Sequence, residues 1–199
     1  MSTIDLDYWE PLAPTQVAQL LQRCTCGWWI AGGYAIAALV GDFNRRRHED
    51  VDVGLLARDQ EALRRCLGTW DLHCANPPGS LRPWMANEVL AEPTHDVWAR
   101  EQENGPWRLQ LMLNTADGDE WVYRRDPRIR VPLSKLVWCD DGIPYLVPEI
   151  QLLFKSKNVR PRDELDFAHA LPLLDTRQRA WLRDALALTS PGHAWLARL

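Results

Sequence analysis

The spacing of apolar positions divides the chain into a strand-rich first part and a helical last part. Val17, Leu20 and Leu21 recur at i, i+3 and i+4, which predicts an amphipathic helix near the N-terminus. An aromatic and aliphatic run that begins at Trp28 predicts a strand. The alanine- and leucine-rich residues 34–40 that follow predict a helix, which stops before a glycine.

Alternating apolar and polar residues predict three more strands in the middle of the chain, over residues 94–100, 107–114 and 121–124. We expect these strands to continue the sheet that begins at residues 50–56. From Pro148 onward the apolar spacing becomes helical. The sequence therefore predicts an α+β fold, a mixed β-sheet flanked by helices. A first domain is expected at residues 1–147, with a helical C-terminal segment at residues 148–199 packed on it.

Two aspartates alternate with valines in the stretch from Asp50 to Val53. Residues two apart in a strand point to the same side, so Asp50 and Asp52 are expected to share one face. A cation between them would relieve their repulsion, and carboxylate oxygens suit Mg²⁺. Upstream, Gly32 and Gly33 form a turn that lets backbone approach a phosphate and points a helix N-terminus at it. An isolated aspartate pair would indicate only a solvated strand, but the two elements together predict a metal and triphosphate site.

The spacing of these two elements resembles the nucleotidyltransferase superfamily of DNA polymerase beta type. More narrowly, it is similar to the aminoglycoside 2''-adenylyltransferase and lincosamide nucleotidyltransferase group. The resemblance is carried by the Gly-Gly-Tyr-Ala turn at residues 32–35 and by the Arg-His-x-Asp-Val-Asp pattern at residues 47–52. It implies that Asp50 and Asp52 are catalytic and bind one or two Mg²⁺ ions. It also implies nucleotide binding by Gly32, Gly33, Tyr34, Arg47 and His48.

The same resemblance implies a third carboxylate on a neighbouring strand. At the matching position, within residues 107–114, this chain has Gln110. A glutamine carries no charge and cannot act as a base. Asp96, on the adjacent predicted strand, is a candidate for the missing catalytic group, because neighbouring strands lie about 4.8 Å apart; the alternative is an ordinary strand-end aspartate. If neither residue serves, the enzyme is slow or only binds nucleotide.

A second part of the resemblance lies in the C-terminal segment. There Lys155, on a predicted helix, is followed by Arg160, Arg162, Asp163 and Asp166. The resemblance implies that Lys155 contacts the nucleotide phosphates and that Asp163 accepts from Lys155 or from an ammonium group of a substrate. The alternative is that the arginines and aspartates only cap and brace the start of a helix.

Composition and charge limit the partners. The formal net charge is −4 and only three of the 23 basic residues are lysines. The chain as a whole is therefore not drawn to nucleic acid or membranes, and a phosphate site would be lined mainly by arginine. The five cysteines are odd in number and scattered, which favours free thiols. Neither a signal pattern nor an apolar run of about 20 residues occurs, so we expect a cytoplasmic protein without membrane contact.

The resemblance implies a Mg²⁺-dependent transfer of a nucleoside monophosphate, AMP from ATP, to a hydroxyl of a small-molecule acceptor. An aminoglycoside- or lincosamide-like antibiotic is the acceptor class that it favours, which would make the protein a factor of antibiotic resistance. Residues 1–147 would be the catalytic domain. Two alternatives stay open. One is a toxin-like nucleotidyltransferase acting on tRNA, against which the net charge of −4 speaks. The other is a nucleotide-binding relative with a degenerate catalytic site.

Overall fold

A computed structural model describes residues 5–77 and 79–199. Residues 1–4 and Pro78, which fall inside the predicted catalytic domain, lie outside that description. No helix among the described residues is long and apolar enough to span a bilayer.

Helices and strands follow one another in the first half of the chain in the order α1 (Pro14–Leu21), β1 (Trp28–Ile30), α2 (Gly32–Val40), β2 (Asp52–Leu56), α3 (Gln60–Leu67), β3 (Asp71–Ala75), β4 (Leu81–Pro83), β5 (Asp96–Arg100) and β6 (Leu109–Asn114). The second half continues with β7 (Ala116–Asp117), β8 (Glu120–Val122), β9 (Arg130–Pro132), β10 (Val137–Asp140), β11 (Ile143–Leu146), α4 (Pro148–Lys155), α5 (Pro161–Ala170) and α6 (Thr176–Thr189). The predicted strands and helices are therefore observed, with ends that differ by a few residues, and β4, β7 and β9 are additional short strands.

Local sequence accounts for where several helices begin and end. Proline stands at the first position of both α4 and α5, where its missing N–H would have had no helical partner. Asp175 caps α6 by accepting a hydrogen bond from the amide of Gln178 at 2.7 Å. Gly41 ends α2 in the left-handed conformation, with φ 73°, which glycine adopts without steric penalty.

The main sheet has eight strands in the order β10-β11-β1-β2-β6-β5-β3-β4. Strand β2 runs antiparallel to β1 and parallel to β6, and β1 runs parallel to β11. The sheet is therefore mixed, as predicted.

Strand β8 corrects one expectation, because it does not continue the main sheet. It pairs with β7 and β9 in a separate three-stranded sheet. Strand β6, the last strand of the main sheet before β7 and β8, is hydrogen-bonded to β2 on one side and to β5 on the other. No free edge is therefore left beside it. The side chain of Trp121 in β8 is fully buried, and its indole donates a hydrogen bond to Asn114 at 3.0 Å.

Two apolar cores lie on opposite faces of the main sheet. Helices α1 and α3 cover one face, where Val53 and Leu55 of β2 are buried. The C-terminal helices, α2 and the small sheet share the second core, to which Trp29 and Trp121 belong. The polar side chains of β2 and β6 point to this second side, at a place where the sheet is not fully covered. That opening holds the candidate site.

Candidate active site

Asp50 and Asp52 face one pocket at the start of β2. Asp52 is the first residue of the strand, whereas Asp50 precedes it, because β2 pairs with β6 only from Asp52 onward. The predicted strand at residues 50–56 is thus shorter than expected. Both carboxylates nevertheless line one pocket of about 210 Å³, called here the carboxylate pocket. Its walls are Gly33, Arg46, Asp50, Asp52, Gln110, Lys155, Arg160 and Arg162.

The environment of Asp52 disfavours its negative charge. Burial and the neighbouring Asp50 raise the pKa of Asp52 from 3.8 to about 7, although Lys155 opposes the shift. A bound cation would reverse this, because an opposite charge stabilises the ionised form. The two aspartates therefore offer both the oxygen donors and the uncompensated charge that suit a Mg²⁺ ion.

The glycine turn lies directly against these carboxylates. Gly32 has φ 65°, and a Cβ there would come within 1.8 Å of Asp52 Oδ2. A Cβ at Gly33 would come within 2.0 Å of Arg46 Nη2. The amide of Gly32 donates a hydrogen bond to Gln151 Oε1 at 2.6 Å, which ties the turn to α4. At Gly32 the left-handed φ and the Asp52 carboxylate together favour glycine, whereas at Gly33 the nearest atom is the mobile end of Arg46.

Gln110 and Asp96 meet on the same side of the sheet. Gln110 is the register partner of Asp52 across β2 and β6, and Asp96 is the partner of Met112 across β5 and β6. Because register partners and residues two apart share a face, all four side chains point to the second side. The Gln110 amide donates to both carboxylate oxygens of Asp96, at 3.0 Å each. Burial raises the pKa of Asp96, and the Gln110 hydrogen bond opposes that shift.

Among the described residues, Asp96 does not join Asp50 and Asp52 in a cluster placed to hold a metal ion. Within residues 5–77 and 79–199, no group of three or more His, Cys, Asp or Glu side chains is placed to hold a metal ion. Asp96 is therefore a neighbour of the aspartate pair, held by a neutral amide, and its predicted catalytic role stays a prediction.

Lys155 lies beside the aspartate pair and is itself held by two further carboxylates. Its ammonium is 2.9 Å from Asp166 and 3.2 Å from Asp163. The Asp166 carboxylate also forms ion pairs with Arg45 at 2.6 Å and with Arg46 at 3.4 Å. Although burial opposes ionisation, hydrogen bonds from Arg160 and the charge of Lys155 hold the pKa of Asp163 at about 2. This ion-pair network anchors α4 and α5 to the loop between α2 and β2, which carries Arg45 and Arg46.

Three of the residues predicted to bind nucleotide, Tyr34, Arg47 and His48, do not line the carboxylate pocket. Tyr34 stacks on His48 with ring centroids 3.9 Å apart, and it lines a different pocket, beside Phe43. Burial, reinforced by the charge of Arg46, lowers the pKa of His48 to about 4, so the imidazole is neutral. Arg47 is exposed and lines neither the carboxylate pocket nor the second pocket that adjoins it. Its neighbours Arg45 and Arg46 are the loop arginines that reach the ion-pair network.

A second pocket, of about 220 Å³, adjoins the carboxylate pocket. We call it the tryptophan pocket, because the indole of Trp29 lies over Gly54, where a Cβ would come within 2.1 Å of the indole nitrogen. Its walls include Trp29, Gly54, Met112, Phe154, Arg124, Arg125 and Lys157, together with Asp52, Lys155 and Arg160 of the carboxylate pocket. The two pockets therefore meet at a carboxylate, a lysine and an arginine.

Sequence reasoning missed Gln151, Arg124 and Arg125. Gln151 is a buried polar residue in an otherwise apolar helical stretch, and such a residue has to find a hydrogen-bond partner. Arg124 and Arg125 form an adjacent basic pair directly after a strand with aromatic residues. Both features can be recognised in the sequence. The groups that Gln151 and Arg125 contact, however, lie 119 and 29 positions away along the chain, so the sequence alone does not identify them.

Comparison with known proteins supports the resemblance that the motifs indicated. The sequence profile of the aminoglycoside-2''-adenylyltransferase family matches residues 14–73. This region contains both the glycine turn and the aspartate pair. A comparison with curated protein sequences finds no match.

Two solved structures share the fold. A crystal structure of ANT(2'')-Ia in complex with adenylyl-2''-tobramycin has a TM-score of 0.52 at 12% identity, covering 88% of this chain and 97% of that one. A solution structure of the antibiotic-resistance factor ANT(2'')-Ia has a TM-score of 0.57 at 13% identity, covering 92% of each chain. These findings confirm the predicted resemblance and the predicted α+β fold with a nucleotidyltransferase-like mixed sheet.

Proposed function

We propose that the protein is a nucleotidyltransferase that transfers a nucleoside monophosphate, AMP from ATP, to a hydroxyl of an acceptor. The observation that carries this proposal is the pair Asp50 and Asp52, which line one pocket beside the Gly32–Gly33 turn and Lys155. Donation by ATP also fits the cytoplasmic location expected from the sequence. The match to aminoglycoside-2''-adenylyltransferases supports an enzymatic role and a small-molecule acceptor.

Mg²⁺ is the cofactor that the donor set fits best. Asp50 and Asp52 would hold it through carboxylate oxygens, and the raised pKa of Asp52 marks the charge that it would neutralise. When bound, such an ion stabilises negative charge that develops on the attacking and leaving oxygens during phosphoryl transfer. Ligands of this kind must be ionised, so Mg²⁺ binding should strengthen as the pH rises.

The cationic side chains around the aspartates would hold the triphosphate. Lys155 and Arg160 line both pockets, so they can reach phosphate oxygens whichever pocket the nucleotide enters. Asp163 and Asp166 fix the Lys155 ammonium at 3.2 and 2.9 Å, which limits its motion before a ligand arrives. Gly33 would let the chain approach a phosphate closely at the start of α2.

Asp96 is our candidate for the base that takes the proton of the acceptor hydroxyl. Its carboxylate points to the same side of the sheet as Asp52, and Gln110 orients it by donating to both oxygens. Burial raises the pKa of this carboxyl, which makes it a stronger base than a solvated aspartate. In this proposal Gln110 positions the base instead of supplying a third acid.

The direct test is transfer of label from ATP labelled at the α-phosphate, with and without Mg²⁺, to panels of antibiotics, sugars and RNA. Labelled product should appear only with Mg²⁺, and Asp50→Asn should abolish it while the protein stays folded. Retention of full transfer by that variant would overturn the assignment.

The role of Lys155 is tested by ATP binding to Lys155→Ala and to Lys157→Ala. The first variant should bind Mg²⁺–ATP about tenfold to a hundredfold more weakly, since charge-assisted hydrogen bonds contribute about 1.5–3 kcal/mol. Lys157 is exposed and should matter less, and Arg183→Ala, at an exposed residue of α6 that lines neither pocket, is the matched control. Equal losses in both variants would show that general surface charge, and not the held ammonium, binds the phosphates.

A further inference from the structure

Three of the five cysteines lie close together where α1, α3 and β1 meet. Cys24 and Cys26 belong to the connection between α1 and β1, and Cys66 belongs to α3. All three are half-buried and pack against the core beneath α1 and α3, on the face of the main sheet opposite to the two pockets. This group, called here the thiol cluster, therefore lies apart from the site of the proposed nucleotidyl transfer.

Cys24 and Cys26 are already in direct contact through their sulfur atoms, which are 3.0 Å apart. Alternate residues of an extended chain lie about 6.6 Å apart at Cα, which is within the usual range for a disulfide, and the chain here bends at Thr25 and Cys26. A disulfide bond is about 2.05 Å long, so a movement of about 1 Å would join the two sulfurs.

Cys66 is less well placed than Cys26 to react with Cys24. Its S–H donates a weak hydrogen bond to the Leu20 carbonyl at 3.9 Å. Among the residues that the structure describes, no three His, Cys, Asp or Glu side chains are placed to hold a metal ion, so the cluster does not form a metal site. The geometry instead favours a reaction between two neighbouring thiols.

The surroundings of the thiols give them different roles. Burial, followed by the hydrogen bond and the negative charge of Cys24, raises the pKa of Cys26 to about 12. Burial and the charge of Cys24 likewise raise the pKa of Cys66 to about 11. Both thiols therefore stay protonated beside an ionised Cys24. Because the thiolate is the nucleophile, Cys24 is the sulfur that attacks first.

We infer that Cys24 and Cys26 form a redox-active dithiol, which hydrogen peroxide converts into an intramolecular disulfide. The Cys24 thiolate attacks one peroxide oxygen, the O–O bond breaks, hydroxide leaves, and Cys24 becomes a sulfenic acid. The sulfur of Cys26 then attacks the sulfur of Cys24, so that the S–S bond forms, the S–O bond breaks, and the hydroxide leaves with the Cys26 proton as water. In total, two thiols lose two electrons and two protons, and one peroxide becomes two waters.

Two features of the thiol cluster favour this sequence of steps. The sulfenic acid is neutral, so its formation removes the Cys24 charge that helped to keep Cys26 protonated. The two sulfurs are only half-buried, so peroxide and a reductant can both reach them. Disulfides in a reducing cytosol are usually transient and redox-sensing, and we therefore expect this one to form reversibly.

The test is oxidation of the reduced full chain by hydrogen peroxide. The remaining thiols are then blocked with N-ethylmaleimide under denaturing conditions, and the peptides are mapped by mass. Trypsin cleaves after Arg23 and Arg45, so residues 24–45 hold both sulfurs in one peptide. That peptide should lose two hydrogen atoms and take up no blocking group, and dithiothreitol should restore both of its thiols.

Variants separate the roles of the two sulfurs. In Cys26→Ser combined with Cys66→Ser, Cys24 should still be oxidised but stop at a sulfenic acid, which dimedone labels. In Cys24→Ser, oxidation of Cys26 should be slower by about tenfold or more, because burial still disfavours its thiolate. Cys139→Ser removes an exposed thiol of β10 and is the matched control, which should form the disulfide at the wild-type rate.

A 24–45 peptide that keeps two blocked thiols while Cys139 is oxidised would overturn the inference, and so would a disulfide that joins this peptide to Cys66. Equal oxidation rates of Cys24 in the double variant and of Cys26 in Cys24→Ser would show that Cys24 is not the attacking sulfur. The peptide map of the wild-type chain gives the first result even if a variant fails to fold.

Discussion

Two pairs of aspartates lie a short distance apart in this protein, and their surroundings differ completely. Asp163 and Asp166 are surrounded by Lys155, Arg45 and other cations at distances from 2.6 to 3.4 Å. Asp50 and Asp52 face a pocket, and each lacks an ion-pair partner within 4.0 Å among the described residues. The first pair is neutralised by the protein itself, whereas the second is left for a ligand.

The pKa values express the same contrast. Despite burial, neighbouring cations keep the pKa values of Asp163 and Asp166 below normal, so these carboxylates stay charged in the folded protein. Burial and Asp50 raise the pKa of Asp52. Carboxylates that are paired with cations stabilise the fold, whereas an unpaired carboxylate pair lowers the stability of the folded protein. Carboxylates with pKa values perturbed in this way are frequent at functional sites.

The largest expected effect is on activity, at the uncompensated pair. Asp52→Asn should reduce nucleotidyl transfer by at least about a hundredfold, since metal-assisted charge stabilisation contributes several kcal/mol. The same change should leave the free energy of unfolding unchanged or raise it, because a repulsive charge is removed. Labelled-ATP transfer and urea denaturation measure the two quantities. A variant that loses activity because it unfolds would contradict the contrast between the pairs.

Asp96 is an intermediate case, because a neutral amide and not a cation holds it. Asp96→Ala should slow transfer by about 10²–10⁴-fold, the usual contribution of a positioned base, with little change in ATP affinity. Gln110→Ala should lower the rate less and shift the pH at which the rate is half-maximal, since it removes only the group that orients the base. If Asp96→Ala transfers at the wild-type rate, another group takes the proton, and Gln110→Glu should then raise the rate.

The compensated pair should behave in the opposite way to Asp52. Asp166→Ala should lower the free energy of unfolding by about 3–5 kcal/mol, because it removes the carboxylate that pairs with Arg45 and leaves the buried Lys155 with Asp163 as its remaining partner. Urea denaturation provides the measurement. Glu61→Gln breaks an exposed ion pair with Arg65 and is the control, for which little change is expected. A small loss at Asp166 would mean that water reaches and solvates these cations.

The sequence revealed those parts of the site that depend on neighbours along the chain. The glycine turn and the aspartate pair are short patterns whose chemistry can be interpreted locally, and Lys155 with Asp163 is spaced as one helix-loop-helix unit. Contacts between distant segments were not predictable in this way. The hydrogen bond from Gly32 to Gln151 joins residues 119 positions apart, and periodicity alone does not show that β6 has both edges occupied.

The smallest expected effect is the pH dependence of stability in the metal-free protein. The folded pKa of Asp52, about 7, exceeds its unfolded value of 3.8, so this group's contribution to stability falls as the pH rises from about 4 to about 7. The folded pKa of His48, about 4, lies below its unfolded value of 6.5, so its contribution rises between about 4 and 6.5. The two trends oppose each other between pH 5 and pH 7.

Single variants should therefore separate two trends that largely offset each other in the wild type. With a chelator present, the change in free energy of unfolding from pH 5 to pH 7 should become more positive in Asp52→Asn and more negative in His48→Gln. Urea denaturation at the two pH values measures this change. Mg²⁺ should stabilise the wild type more at pH 7 than at pH 5, because its ligands must be ionised. If Asp52→Asn keeps the wild-type pH dependence, the charge at β2 is already compensated, and the contrast between the two aspartate pairs does not hold.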